Sequence, residues 1–137
     1  MTRPFVVQLQ NRPGELAHLA RALAVRGIDI RHIAGGGAGC TYCAFLATDN
    51  DPTTREVLRS MGYNFVEGTT IVVEVEDRPG MLAELSEKLG AANVNIEGVL
   101  IVGRRGGLVE IAFAVDNEAR AREALGSPSP LAVPVGW

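Results

Sequence analysis

Residues 11–16, with the sequence NRPGEL, recur as residues 77–82, DRPGML, at a constant offset of 66 positions. The similarity continues beyond this turn, since 8 of the 23 aligned positions from 11 to 33 are identical in the two copies. A match of this length at a fixed offset indicates that one structural unit has been duplicated. We therefore predict two copies of one domain, residues 1–68 and residues 69–137, each carrying the Arg-Pro-Gly (RPG) turn.

The composition excludes several classes of protein. With 47% hydrophobic and 21% charged residues, the chain has the balance of a soluble globular protein. Its formal charge of −3 gives no electrostatic reason to bind nucleic acid. No apolar run approaches the roughly 20 residues that cross a bilayer, and the N-terminus lacks the pattern of a signal peptide. We therefore predict a cytoplasmic protein that binds neither nucleic acid nor a membrane.

The residues around each RPG turn predict a strand followed by a helix. Alternating apolar residues predict strands over residues 5–10 and 71–76. Asn11 and Asp77 then offer a side-chain oxygen that can cap the following helix. Apolar residues at helical spacing predict the buried stripe of that helix. The stripe comprises Leu16, Leu19, Ala20 and Leu23 in the first copy, and Leu82, Leu85, Ser86 and Leu89 in the second.

The rest of each copy predicts two further strands, a second helix and a closing strand. Second strands begin at Ile28 and Val94, after Gly27 ends the first helix, and lead to glycine-rich hairpins at residues 35–39 and 103–107. Third strands follow over residues 41–48 and 108–115, and the second helices open at Asp51 and Asp116. Fourth strands are predicted near residues 64–66 and 131–135; Pro134 in the latter requires a sheet edge.

Each copy therefore has the element order β-α-β-β-α-β, the ferredoxin-like motif. Right-handed crossovers place both helices on one face of a four-stranded antiparallel sheet. The strand order is then 4-1-3-2, with the second and fourth strands at the edges. The predicted fold class is α+β with two ferredoxin-like units.

The repeated motif resembles that of the ACT domain, a small regulatory module of amino-acid metabolism. The resemblance rests on the RPG turn between strand and helix and on the second-strand sequences 27–30, GIDI, and 93–96, NVNI. It implies a non-catalytic protein that binds a free amino acid or similar small metabolite. It also implies that two units lie side by side as an eight-stranded sheet with four helices on one face, and bind the ligand where they meet. A homodimer, a metabolic enzyme as partner and no cofactor are the further expectations.

The same residues have chemistry suited to an amino acid. A helix N-terminus attracts a carboxylate, and Gly14 and Gly80 let a ligand approach the backbone. Asp29 can accept from an ammonium group, and Asn95 can donate to a carboxylate. The predicted ligand-binding residues are Asp77, Pro79, Gly80, Met81, Leu82, Asn93, Val94, Asn95 and Ile96 in the second copy, and Asn11, Pro13, Gly14, Glu15, Ile28, Asp29 and Ile30 in the first. The second copy matches the family pattern better and is the favoured site.

Other interpretations stay open at this point. Asn11 and Asp77 can serve as helix caps only, and Asp29 and Asn95 as solvated strand residues. Cys40 and Cys43 form a CxxC pair, but it enters a strand instead of a helix, and alternation places Cys43 with Phe45 as a buried residue. No metal site is predicted. The alternative functions are an interaction module that docks on a metabolic enzyme with vestigial ligand sites, and a thiol-dependent enzyme.

Overall fold

The computed structural model describes residues 3–126, which divide into two compact units with the boundary between Glu67 and Gly68. The elements of the first unit are β1 Phe5–Gln10, α1 Glu15–Ala24, β2 Ile30–Ala38, β3 Thr41–Thr48, α2 Asp51–Ser60 and β4 Asn64–Glu67. Those of the second are β5 Thr69–Glu76, α3 Met81–Ala91, β6 Ile96–Arg105, β7 Leu108–Val115 and α4 Glu118–Leu125.

Both sheets are antiparallel, and the first three strands of each unit have the same order. The first unit has the order β2-β3-β1-β4, the predicted ferredoxin-like arrangement, and the second has β5-β7-β6. The α+β class and the two-unit fold are therefore confirmed. The fourth strand predicted for the second unit, residues 131–135 with Pro134, lies outside the described residues. The joining of both sheets into one eight-stranded sheet stays a prediction.

Each unit has its own hydrophobic core between one sheet face and its helices. In the first unit, the alternate residues Phe5, Val7 and Leu9 of β1 contribute to a core that includes Leu19 and Leu23 of α1. In the second, β5 and α3 contribute the equivalent residues Ile71, Val73, Val75, Leu85 and Leu89. Burying a large aliphatic side chain of this kind stabilises a fold by about 1.5–3 kcal/mol.

The predicted helix stripe is wrong at its first position in both copies. Leu16 is 42% exposed and Leu82 is 48% exposed, whereas the leucines three positions further on are buried. Each exposed leucine is the second residue of its helix, so it lies in the first turn beside the RPG loop. The core begins one turn later.

The hairpins are tighter than the sequence predicts. Strand β2 runs on through the glycines to Ala38, leaving a two-residue turn at Gly39-Cys40. Gly35 and Gly37 belong to the ladder, and neighbouring side chains fill the space that a larger residue would need at either position. A Cβ at Gly35 would lie 2.5 Å from the Tyr42 hydroxyl oxygen, and one at Gly37 would lie 2.6 Å from the Asn11 amide nitrogen. In the second unit, β6 likewise continues to Arg105, and Gly106-Gly107 form the turn.

Several element ends also differ from the predicted ones. The second strands begin at Ile30 and Ile96, two residues later than expected, although Ile28 and Val94 before them are buried. The second helix of each unit is capped by an asparagine, Asn50 or Asn117, whose side-chain oxygen accepts a backbone N–H at 3.1 Å. Helix α4 therefore begins at Glu118, two residues after the predicted Asp116.

Candidate functional site

Both RPG turns place a glycine in the left-handed region at the start of a helix. Gly14 has φ 87° and Gly80 has φ 90°, and each is the residue before the first helical position. Glycine adopts this conformation without the steric cost of a Cβ, which explains why the motif requires it. No side chain caps either helix. The predicted capping role of Asn11 and Asp77 is therefore wrong.

Asn11 and Asp77 instead hold the RPG loop to the neighbouring hairpin turn. The Asn11 backbone N–H donates to the Cys40 carbonyl at 3.0 Å, and its side-chain amide donates to the Gly39 carbonyl at 3.0 Å. The Asp77 backbone N–H donates to the Gly107 carbonyl at 2.9 Å. The Asp77 carboxylate accepts from Arg104 Nε at 2.9 Å, so a charged pair replaces the amide contact of the first unit.

The arginine of the motif has a different acidic partner in each unit. Arg12 Nε donates to the carboxylate of Glu15, the first residue of α1, whose side chain is only 17% exposed. In the second unit, that first helical residue is Met81, and Arg78 pairs with Glu84 one turn further along at 3.0 Å. The N-terminus of α3 therefore has no carboxylate at its first residue, and that of α1 does.

The starts of the second strands lie at the opposite end of each sheet. Strand β2 begins at Ile30, which pairs with Thr48. It ends at Ala38, which pairs with Thr41 at the end of the sheet next to the RPG loop. At about 3.3 Å per residue, the seven steps along β3 separate the two ends by roughly 20 Å. The predicted residues Asn11, Pro13, Gly14 and Glu15 thus lie far from Ile28, Asp29 and Ile30 of the same unit. The same separation holds for the second unit.

At that opposite end, each unit has an equivalent hydrogen bond from a backbone N–H to a carboxylate. The Asp29 N–H donates to the Asp49 carboxylate, and the Asn95 N–H donates to the Asp116 carboxylate, both at 2.9 Å. Arg31 also approaches Asp29, at 3.4 Å between Nη1 and Oδ2. Asp29 and Asn95 are exposed residues that lie immediately before β2 and β6.

Asn93 ends the first helix of the second unit as Gly27 ends that of the first. Asn93 has φ 57° and Gly27 has φ 70°. The Val94 N–H donates to the Leu89 carbonyl at 2.9 Å, and the Ile28 N–H donates to the Leu23 carbonyl at 3.1 Å. This is the Schellman ending, in which glycine is the commonest residue and asparagine is a frequent substitute.

A cavity of about 710 Å³ adjoins the RPG loop of the first unit. It is lined by Arg12 and Glu15 from that loop and by residues 61–64, which connect α2 to β4. Residues 61–64 carry no motif that indicates a ligand site, and they are absent from the predicted site. A smaller cavity, of about 180 Å³, lies beside the same loop and is lined in part by Leu16 and Tyr42.

Tyr63 is the most distinctive residue of the large cavity. Its hydroxyl is buried and has no hydrogen-bond partner within the described part of the chain. Burial raises the pKa of the Tyr63 phenol above its ordinary value, and the nearby negative charge of Glu15 raises it further. The unpartnered hydroxyl is therefore enclosed by the protein, and it lies close enough to Glu15 for the carboxylate charge to affect its pKa.

The CxxC pair does not behave as alternation predicted. Both Cys40 and Cys43 are exposed and free. Cys43 does share a sheet face with Phe45, but it lies opposite Gln8 and Gly36, where no large side chain covers it. Among residues 3–126, no group of three or more His, Cys, Asp or Glu side chains could hold a metal ion. None of the helices in that range is long and apolar enough to cross a membrane.

Comparison with known proteins supports the motif. Residues 69–125 match the model of the ACT domain family. Among solved structures, protein BT0572 from Bacteroides thetaiotaomicron has a TM-score of 0.65 at 17% identity, covering 91% of this chain and 87% of its own. The regulatory subunit of aspartate kinase from Thermus flavus has a TM-score of 0.62 at 20% identity, with 90% and 89% coverage.

The ligand-free regulatory subunit of aspartate kinase from Thermus thermophilus gives a TM-score of 0.56 at 17% identity, again covering 90% and 89% of the two chains. At identities this low, the likeness shows the fold alone. No curated protein sequence matches the chain. The family match and the shared fold nevertheless agree with the RPG motif. Residues 69–125 are therefore an ACT domain, and the resemblance predicted from that motif is confirmed.

Proposed function

We propose that this chain is a non-catalytic regulatory protein that binds a free amino acid, or a similar small metabolite, and acts as a ligand sensor in amino-acid metabolism. The observation that carries this proposal is the RPG turn of the ACT-matched unit. There Gly80, with φ 90°, precedes a helix that no side chain caps. Bare backbone N–H groups at a helix N-terminus form a natural site for a carboxylate.

The second unit suits the ligand carboxylate better than the first. Met81 begins α3, whereas Glu15 begins α1 and brings its own negative charge to the helix end. The proposed site comprises Asp77, Pro79, Gly80, Met81 and Leu82. Because Asn93, Val94, Asn95 and Ile96 lie at the far end of the same sheet, a second strand from a different ACT unit has to complete the site. The corresponding residues of the first unit form the weaker copy.

A sensor of this kind acts through linkage. A ligand that binds one arrangement of subunits more tightly shifts the population toward it, typically with a coupling of about 1–3 kcal/mol. We propose a homodimer as the arrangement that the ligand favours and a metabolic enzyme as the regulated partner. The likeness in fold to regulatory subunits of aspartate kinase agrees with this role.

Thermal unfolding against each proteinogenic amino acid tests the proposal. A ligand present at 100 times its Kd should stabilise the protein by about 2.7 kcal/mol through mass action. Replacing Asn95 and Gly80 should abolish the shift, and a shift that persists unchanged in these variants would show that the site is misplaced. If no amino acid changes the melting temperature, the sensor function is wrong and the interaction module becomes the better interpretation.

A further inference from the structure

We propose that strand β6 is the surface through which two copies of this chain associate, by pairing antiparallel with the same strand of a second copy. The second unit of each copy meets the second unit of the other, and the first units take no part in the contact. The place of the ligand at this contact rests on the proposed function, whereas the contact itself rests on the residues of β6.

Strand β6 is an edge of its sheet and carries exposed apolar side chains. The order β5-β7-β6 leaves one side of β6 without a neighbouring strand among the described residues. Val99 and Ile101 are each 47% exposed, so within residues 3–126 β6 is the strand that has two of the large exposed hydrophobic residues. A long apolar edge strand is a template for the addition of another strand.

The two exposed side chains lie on the face of the sheet that the helices cover. Val99 pairs with Phe113 of β7, which is fully buried in the core of the second unit. Ile101 pairs with Ile111, which is buried in the same core. Val99 and Ile101 therefore continue that core to the edge of the sheet. A strand added beside β6 would extend the core across this edge.

The spacing of these residues fits a second copy of the same strand. In an antiparallel pair related by a two-fold axis, a residue on the axis lies opposite itself, and its two neighbours lie opposite each other. With Leu100 on the axis, Val99 of each copy lies opposite Ile101 of the other. A shift of register by two residues would place one of these side chains opposite Glu97 or Gly103 instead.

The charges at the two ends of β6 favour the same antiparallel arrangement. Arg104 and Arg105 end the strand, and their side chains are 58% and 68% exposed although each already pairs with a carboxylate of its own unit. Glu97 lies at the other end, close enough to Asp116 for the two negative charges to interact. Antiparallel pairing brings the basic end of one copy to the acidic end of the other, whereas parallel pairing would bring like charges together.

This arrangement also completes the proposed ligand site. The RPG loop of the second unit lies beside the last residues of β6, where Arg104 Nε contacts the Asp77 carboxylate at 2.9 Å. Residues 93–96 lie at the start of the same strand. Antiparallel pairing therefore brings residues 93–96 of one copy toward the RPG loop of the other, and the dimer has two such sites.

The first unit is poorly suited to the same contact. Ile33 and Gly35 occupy the positions of Val99 and Ile101, and two more glycines follow. Ile33 is 45% exposed, so the edge of β2 keeps one of the two apolar side chains. A run of glycines offers backbone hydrogen bonds but no side chain that can pack against a partner.

Disulfide trapping tests the contact directly. Leu100→Cys is made in the full chain together with Cys40→Ser and Cys43→Ser, so that it supplies the single thiol. Residues opposite each other in an antiparallel pair have Cα atoms about 4.5–5.5 Å apart, a distance that a disulfide spans. Mild oxidation should convert most of this variant to a covalent dimer. Ala34→Cys, at the equivalent position of the first unit, is the matched control and should stay monomeric on a denaturing gel.

A second pair of variants measures how much the apolar edge contributes. Val99→Lys should raise the dimer dissociation constant by about 100-fold or more, because two-fold symmetry places two charged side chains in the contact. Ile33→Lys, at the equivalent and equally exposed position of the first unit, should leave that constant unchanged. Sedimentation equilibrium measures the constant, and circular dichroism checks that both variants fold.

Three outcomes would overturn the inference. The first is a wild-type chain that sediments as a monomer, and the second is trapping of Ala34→Cys as efficient as that of Leu100→Cys. The third is a thermal shift with an amino acid that persists in monomeric Val99→Lys, which would leave the sensor function standing without a second copy in its site. Trapping through Leu100→Cys in a protein that no amino acid stabilises would instead support the contact and remove the sensor function.

Discussion

In the first unit the middle of edge strand β2 is glycine, whereas at the same place in the second unit strand β6 carries Ile101 and Val102. The neighbouring strand compensates for this difference. Tyr42 lies against Gly35 in the first unit, and the equivalent of Tyr42 in the second unit is Val109. At this place in the fold, the first unit combines the large side chain of Tyr42 with a glycine. The second unit combines two side chains of intermediate size, Ile101 and Val109.

Positions that constrain the backbone differ much less between the copies. Gly14 and Gly80 keep the left-handed conformation, and Gly27 is replaced only by Asn93, which also adopts it. Charge, by contrast, changes sign: Arg31 occupies the place of Glu97. Duplication has therefore preserved the turns that set the fold and has left packing and charge free to diverge, which is where we expect the units to differ in function.

The largest expected effect tests whether the glycine at position 35 compensates for the large side chain of Tyr42. Gly35→Ile should destabilise the protein by about 1–3 kcal/mol, because a Cβ there would lie 2.5 Å from the Tyr42 hydroxyl and 2.9 Å from the Cys43 carbonyl oxygen. Adding Tyr42→Val, which reproduces the second unit, should recover part of that loss. Urea denaturation measures both.

Gly36→Ala is the control for that pair, because a Cβ at Gly36 would meet no atom within 4 Å. Its free energy of unfolding should change by less than about 0.5 kcal/mol. If Gly35→Ile is tolerated as well as Gly36→Ala, the two copies are not related by compensated packing.

The next effect tests the shared turn. Gly14→Ala and Gly80→Ala should each cost about 1–2 kcal/mol, since an L-residue is strained in the left-handed region. Gly90→Ala is the contrasting change, because Gly90 lies inside α3 where the first unit has Ala24. It should raise the free energy of unfolding by about 0.5–1 kcal/mol. Unequal costs at Gly14 and Gly80 would show that the two RPG turns are under different constraints.

The regular elements were predictable from the sequence because their causes are local. Strands β1, β3 and β7 have the predicted bounds, since alternation of apolar residues follows directly from one buried sheet face. The helix caps and the hairpins were not predictable in this way. Asn11 is fixed by a hydrogen bond to Gly39, and Gly35 by the ring of Tyr42, and neither contact has a local signal.

The candidate site was predictable only in part. The RPG glycines have a conformational requirement that a motif reveals, and the structure gives both the left-handed φ that this requirement implies. Tyr63 has no such signal. It lines a cavity, and its hydroxyl is buried without a partner within residues 3–126; both facts depend on how α2 and β4 are placed.

A smaller effect tests the change of charge. Burial raises the pKa of the Glu97 carboxyl, and the Asp116 charge raises it further. The folded state therefore binds this proton more readily than the unfolded state does. The contribution of Glu97 to stability is most favourable below the unfolded-state pKa and is lost as the pH rises through the raised folded-state pKa.

Glu97→Gln should thus raise the free energy of unfolding at pH 7 by less than about 1 kcal/mol, and the gain should shrink as the pH falls through the raised folded-state pKa and vanish below the ordinary carboxyl pKa. Thermal unfolding from pH 3 to pH 8, compared with the wild type, measures this. Arg31→Gln in the first unit is the control, because an arginine does not titrate in that range. A gain for Glu97→Gln that is the same at every pH would show that the carboxylate is not the cause.

The smallest expected change in stability separates a helix ending from a ligand contact. Asn93→Gly copies Gly27 of the first unit and relieves the left-handed strain at φ 57°. The entropy of glycine in the unfolded chain offsets most of that gain, so the free energy of unfolding should rise by only a few tenths of a kcal/mol. As Asn93 is also a proposed ligand contact, amino-acid affinity should fall even though stability does not.

Gly27→Asn is the matched reverse change and should lower stability slightly without affecting that affinity. If Asn93→Gly leaves the affinity unchanged, Asn93 serves the helix ending alone, and the second unit has one fewer reason to be the preferred site.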